Sequence, residues 1–190
     1  GATNLVTGIA TANYDSVPLV CFTGQVPLNL LGNDAFQEVD IVGITRNICK
    51  YAVTVRNREE LPRIIKEAFY IARTGRPGPV VVDLPKDIQQ AMGTDEYPDT
   101  VSIRGYKPNE GVHMGQIKKA VSVLSKAKKP LFLIGGGVNI AHAQKEMTQL
   151  AETTGVPVIT TIMGKGAIPT NHPLYMEILV FMEVMQPITQ

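Results

Sequence analysis

Residues 50–85, KYAVTVRNREELPRIIKEAFYIARTGRPGPVVVDLP, read as strand, helix, strand, and that order decides the fold. Val80-Val81-Val82-Asp83-Leu84 is a short continuous apolar run closed by Pro85, the pattern of a strand covered on both faces. Lys50 to Val55 reads as a second strand. Between the two, Leu61, Ile64, Ile65, Ala68, Phe69 and Ala72 recur in steps of three and four, which gathers them on one buried helix face. Asn57 followed by Glu60 predicts an N-cap with its capping-box partner. Pro62 fits only near the helix start, and Gly75-Arg76-Pro77-Gly78-Pro79 ends the helix. Strand, helix and strand in succession make a parallel α/β sheet.

Working outward, residues 2–14 carry small side chains with Leu5, Val6, Ile9 and Ala12 at helical spacing. Val17 to Thr23 is another short apolar run, ending at Gly24, and a short helix is expected around Glu38 to Val42. Residues 89–111 lack periodicity and are rich in Gly, Pro, Asp and Thr. A linker is therefore expected over 91–111, between a unit at 1–90 and another at 112–190. In the second unit Ile117, Ala120, Val121 and Leu124 share a helix face, and Leu131 to Ile134 is a strand running into Gly135-Gly136-Gly137. Ala143, Met147, Leu150 and Ala151 mark a further helix, and Val156 to Thr161 another strand. The fold class is α/β, with parallel sheets flanked by helices.

The composition excludes several functions. Among 190 residues, 18 Lys and Arg stand against 17 Asp and Glu, a formal charge of +1, so no polyelectrolyte surface exists to hold nucleic acid or anionic lipid. No apolar run approaches the roughly 20 residues that cross a bilayer. Cys21 and Cys49 lie in apolar surroundings without C-x-x-C spacing, and no secretory signal is visible, which predicts buried free thiols and a reducing, cytoplasmic setting. The chain starts at Gly1 rather than Met, on a helix with no strand before it, and is expected to be part of a longer protein.

Several residues stand where ligands collect. The triple glycine follows a buried strand and precedes a helix, where bare backbone lets a phosphate approach a helix N-terminus. The dinucleotide fingerprint would need glycine at position 140, which is Ile140, so a standard NAD site is not expected. Lys86 lies just past the C-terminal end of a strand, the edge where open α/β sheets receive ligands. Phe36 and Gln37 sit in an irregular stretch and Arg76 in a Gly/Pro-rich loop; read singly, each is ordinary. His113, His142 and His172 share no metal-ligand spacing, and no nucleophile elbow, P-loop or acid/base pair is visible. From its residues alone, the chain has ligand-facing loops and no catalytic centre of its own.

Taken together, a set of motifs resembles one family. These are Gly1-Ala2-Thr3-Asn4, Thr23-Gly24-Gln25-Val26-Pro27, Asp34-Ala35-Phe36-Gln37-Glu38 and Gly43-Ile44-Thr45-Arg46. Gly75 to Pro79, Val82-Asp83-Leu84-Pro85-Lys86-Asp87, the triple glycine and Gly164-Lys165-Gly166-Ala167-Ile168-Pro169 complete the set. Over residues 1 to about 176 the chain is similar to the large, catalytic subunits of acetolactate synthase, a thiamine-diphosphate-dependent family. The resemblance implies that residues 1–90 are the C-terminal part of a pyrimidine-binding domain and that a Rossmann-like, FAD-binding central domain begins near 112. It implies that Asn4 and Gln37 lie near thiamine diphosphate. Phe36, Gln37 and Lys86 would line a substrate channel, with Lys86 anchoring a 2-ketoacid carboxylate. Arg76, Gly135, Gly136, Gly137, Thr161, Ile162 and Met163 would contact FAD. The family reaction decarboxylates pyruvate and joins the two-carbon unit to pyruvate or 2-ketobutyrate, in branched-chain amino-acid biosynthesis.

The resemblance also implies Mg²⁺ in the full-length enzyme, a homodimer or tetramer, and a regulatory small subunit. The resemblance further implies that the family's activating glutamate and its diphosphate-binding domain are expected to lie outside these 190 residues. The stretch alone is thus expected to be inactive, to associate with itself and to bind no cofactor tightly. After Met176 the sequence leaves the family pattern. Restoring one base ahead of a suitable codon set turns residues 177–188 into Gly-Asn-Ile-Gly-Ile-Tyr-Gly-Ser-Tyr-Ala-Ala-Asn, so residues 177–190 are expected to be a frameshifted tail. Other readings are a related carboligase or oxidase, such as glyoxylate carboligase or pyruvate oxidase, and a non-catalytic α/β module.

Overall fold

Small side chains at the start of the chain let a tight turn and a helix form in direct succession. The computed structural model describes residues 1–94, 96–109 and 111–179. A 3-10 turn at Ala2–Leu5 leads into α1 (Val6–Tyr14), which buries Ile9 and Ala12 and stops where Ser16 takes a positive φ. Then come β1 (Leu19–Gln25), a short α2 (Ile41–Thr45) capped by the Asp40 carboxylate, and β2 (Tyr51–Thr54). The predicted helix at 38–42 thus lies three residues further on, because Asp40 accepts from the Gly43 N–H and fixes the start there.

The central helix α3 (Leu61–Arg73) and strand β3 (Pro79–Pro85) form as the pattern requires. The expected capping box does not. Asn57 accepts from the Glu59 N–H, opening a 3-10 turn over Arg58–Glu60, and Glu60 pairs with Arg63 instead. The buried face of α3 is Ile64, Ala68, Ile71 and Ala72; Phe69, expected inside, is 45% exposed on the flank of that face.

β3 is the middle strand of a parallel sheet ordered β1-β3-β2, with Leu19 to Gln25 opposite Pro79 to Pro85 and Tyr51 to Thr54 opposite Val80 to Asp83. Alternation sends Val80 and Val82 toward the α3 core and Val81 toward Ile9 and Cys21. Cys21 is buried and Cys49 half-buried; both are free, and burial pushes both thiols above their ordinary value.

The chain divides into two compact units, one spanning Gly1–Gly111 and one beginning at Val112. The aperiodic stretch after α4 (Lys86–Gln90) is not a free tether, since Ile103 and Tyr106 pack on the α3 core. The C-terminal carbonyls of α3 need donors, and Lys50 and Tyr106 supply them. Lys50 Nζ donates to the carbonyls of Ile71 and Thr74, and the Tyr106 hydroxyl donates to Thr74 O at 2.9 Å.

In the second unit α5 (Met114–Leu124) precedes β4 (Phe132–Ile134), α6 (Gly137–Ile140), α7 (Gln144–Thr154), β5 (Val158–Thr161) and β6 (Tyr175–Leu179). The three strands are parallel in the order β4-β5-β6. The core joins Ile134, Ala151 and Val158 to Ala167 and Ile168, two loop residues that carry no periodic signal. The face expected on α5 is open, with Ile117, Ala120 and Val121 exposed and Leu124 half-buried. Residues 177–179 of the predicted tail complete β6, which register places beside β5; the rest of that tail lies outside the described residues.

Candidate functional site

β1 and β3 end side by side, so the loop after Gln25 and the start of α4 after Pro85 lie at the same sheet edge. There a cavity of about 550 Å³ is walled by Gly24, Gln25, Val26, Pro27, Leu30, Phe36, Gln37, Lys86 and Gln89, a volume that suits a small organic ligand. Lys86 begins α4 at the rim, and Phe36 stands 89% exposed opposite. Asp87, beside Lys86, accepts from the Leu28 N–H with both carboxylate oxygens at 3.2 Å, which ties the 27–30 turn to α4. The structure thus brings together Phe36, Gln37 and Lys86.

Two positive φ angles, 52° at Asp34 and 64° at Gln37, mark a strained loop. Glu38 holds that strain in place. Its carboxylate accepts from the Gly32 N–H and, at 2.9 Å, from the Ala35 N–H, and these bonds hold its carboxyl below the usual carboxylate range. A lowered folded-state value means that this contribution to loop order is complete above the ordinary carboxylate range and is lost as pH falls through the lowered value. Acidification is expected to release the Gly32 and Ala35 amides before the sheet opens. NMR amide exchange across a pH series checks this, and simultaneous release of β3 amides would contradict it.

A second cavity of about 370 Å³ adjoins the first, lined by Gly1, Ala2, Thr3, Gly24, Gln37, Glu38 and Val39. Gly24 and Gln37 belong to both, so Gln37 divides them. Asn4 is exposed on the same 3-10 turn and is not among the lining residues.

Arg76 lies before the start of β3, at the opposite end of the sheet from Lys86, about 20 Å away along seven residues of strand. Its guanidinium donates to Ser16 Oγ at 2.8 Å and to the carbonyls of Asn13 and Tyr14. In the second unit Gly135 lies beside Thr161 and Gly136 packs against Met163, where β4 and β5 end. A Cβ on Gly136 would stand 3.1 Å from Met163 Cβ, whereas Gly137 faces open space. Asn139 Nδ2 ties this cluster by donating to the carbonyls of Met163 and Lys165, both at 3.0 Å.

Beneath the first cavity lies a polar cluster that sequence reasoning alone did not single out. Asp83, 1% exposed, accepts from Thr23 Oγ1 at 2.7 Å, Gln25 Nε2 at 3.1 Å and Thr54 Oγ1 at 3.2 Å. A carboxylate in an apolar strand run was the available signal, but the cluster spans three strands and no local pattern links its members. Among the described residues no cluster of His, Cys, Asp and Glu could hold a metal ion, and no helix is long and apolar enough to cross a membrane. The one charged group among the described residues lining the first cavity is Lys86, accompanied by amides and apolar walls, which suits a small anion with a short apolar part.

The family model described as thiamine pyrophosphate enzyme, N-terminal TPP binding domain matches residues 1–44, and the one described as thiamine pyrophosphate enzyme, central domain matches 117–189. The acetolactate synthase large subunit of Corynebacterium glutamicum is 51% identical over 176 residues, 93% of this chain and 28% of that protein. A probable acetolactate synthase large subunit of Methanocaldococcus jannaschii is 50% identical over 92% of this chain and 30% of its own length. For the acetolactate synthase isozyme 3 large subunit of Escherichia coli the figures are 48%, 90% and 30%. The chain therefore spans less than a third of the length of these relatives.

Proposed function

Since the chain belongs to the thiamine pyrophosphate enzymes and is similar to acetolactate synthase large subunits over most of its length, we propose that it supplies the 2-ketoacid-facing part of such an enzyme. On this reading residues 1–90 carry the C-terminal part of the pyrimidine-binding domain, and the stretch from 112 opens a central, flavin-binding domain. The whole protein would condense pyruvate with pyruvate or 2-ketobutyrate and release CO₂, a transferase step in branched-chain amino-acid biosynthesis. It would assemble with further copies of itself and a small subunit. The edge strands β1 and β2 and the half-exposed Phe22 suit self-association.

The observation that carries the reading is the convergence of the neighbours Phe36 and Gln37 with Lys86, distant from them in the chain, on one cavity of suitable size. Lys86 would hold the 2-ketoacid carboxylate while Phe36 covers its methyl side. The adjoining cavity fits the pyrimidine end of thiamine diphosphate: Gln37 offers an amide, and no Lys or Arg among the described residues lines it to favour a diphosphate. The bound cofactor supplies the electron sink for decarboxylation, and this chain's residues orient the ketoacid and shield it from water. Among the described residues no cluster of acidic or imidazole side chains fits Mg²⁺. Gly135, Gly137, Thr161 and the exposed Ile162 and Met163 would meet FAD, with Gly137 leaving room for it.

Titration of the 190-residue chain with pyruvate, followed by NMR, tests the reading. Shifts confined to residues 24–37 and 86–89 are expected, with no acetolactate formed; shifts scattered over both units, or none, would overturn it.

A further inference from the structure

We propose that Gln25 and Asp83 are positioning residues: the buried Asp83 carboxylate fixes the Gln25 amide in one orientation, and that amide ties the Phe36–Gln37 loop to the end of the sheet. The inference deepens the reading of the cavity as a 2-ketoacid site and rests on it.

The register sets up the pair. Thr23 and Thr54 lie opposite Asp83, and Gln25 opposite Pro85, so all four polar side chains stand in adjacent positions on the sheet face that holds Cys21 and Val81. That face is otherwise core, and an apolar residue at 83 would continue it as Val81 does. A buried carboxylate is costly, and among the described residues Asp83 forms no salt bridge that would offset the cost. What it does instead is accept three hydrogen bonds.

A carboxylate offers acceptors only, so it forces Gln25 to point its NH₂ inward. One Nε2 hydrogen then meets Asp83 Oδ2, and the other reaches Val39 O at 2.8 Å. Gln25 Oε1 takes the remaining partner, the Val26 N–H, at 2.9 Å. Both Nε2 hydrogens and one Oε1 lone pair are thereby used, and flipping the amide would break all three bonds. Val39 is where the loop returns, two residues after Gln37 and its strained φ of 64°. Glu38 organises the loop internally; Gln25 decides where that organised loop sits. Asp83 acts through Gln25, since it does not itself line the cavity.

The test is NMR amide exchange on the labelled chain. Ala35 and Glu38, whose N–H groups are bonded within the loop, report loop opening, and Val81 and Val82 report the sheet. Gln25→Leu is expected to speed exchange of the loop amides roughly tenfold with the β3 amides unchanged, as in a local opening. Asp83→Asn should do the same and add nothing in the Gln25→Leu background. Thr54→Val removes a bond to Asp83 without touching Gln25, so it should leave the loop amides at the parent rate. Asp83→Asn is also expected to weaken pyruvate binding severalfold. Parent-rate loop amides in Gln25→Leu, or equal acceleration by Thr54→Val, would overturn the inference, and Gln25→Leu decides the matter even if Asp83→Asn does not fold. A parent chain that fails to bind pyruvate, yet loses loop protection on Gln25→Leu, sinks the functional reading and leaves the tie standing.

Discussion

Gly164→Ala strongly destabilises the second unit and spares the first: this is the expected result of adding one methyl group. A Cβ at Gly164 would lie 2.2 Å from the carbonyl oxygen of Ile134 and 2.9 Å from its carbon, and both are backbone of β4. No side chain can rotate away to relieve that contact. Either β4 shifts off β5 or the Ile162–Gly164 turn moves, which loses the bond from the Gly164 N–H to Thr161 Oγ1. Overpacking against backbone costs about 3 kcal/mol, a large share of what a small three-strand unit has to lose. Amides of β4 and β5 should then exchange roughly a hundredfold faster. Those of β3 should keep the parent rate, because the cores around Val82 and around Val158 share no residue. Gly137→Ala, which adds its methyl group to open space, is the matched control and should leave both rates alone. Equal exchange in the two variants would refute the close-approach account.

The second large effect falls on binding. Lys86→Ala is expected to weaken pyruvate binding by roughly tenfold to a hundredfold, the range given by losing a hydrogen bond to a charged group. Lys86 begins α4 with an exposed side chain, and α4 is held by Asp87 to the Leu28 N–H, so the loss should be of charge rather than of fold. Pyruvamide, which has no carboxylate, should bind parent and variant alike. Lys86→Arg keeps the charge and should recover part of the affinity. Equal pyruvate affinity in Lys86→Ala and the parent would remove Lys86 from the site.

How far the sequence could be read varies with the range of the interaction. α3 and β3 were legible because their pattern is local: steps of three and four, then a run of valines ended by proline. Asp40 moved α2 by a few residues because a cap acts over one turn and competes with weak periodicity. Phe69 was misjudged because spacing alone cannot say where the centre of a broad apolar face lies. Ala167 and Ile168 carried no pattern, yet they complete the second core. The 91–111 stretch reads as a linker by composition, and Tyr106 nevertheless serves the carbonyls at the end of α3.

By itself the sequence determined the fold class, the order of strands and helices apart from α4 and β6, the family, and Phe36, Gln37 and Lys86 as residues worth watching. Only the tertiary structure decided that those three share a cavity, that Arg76 lies at the far end of the same sheet, and that Asp83 and Gln25 stand beneath the loop. The reason is physical: helix and strand preferences act between residues a few positions apart, whereas parallel pairing sets side chains sixty positions apart within hydrogen-bonding distance, as it does Thr23 and Asp83.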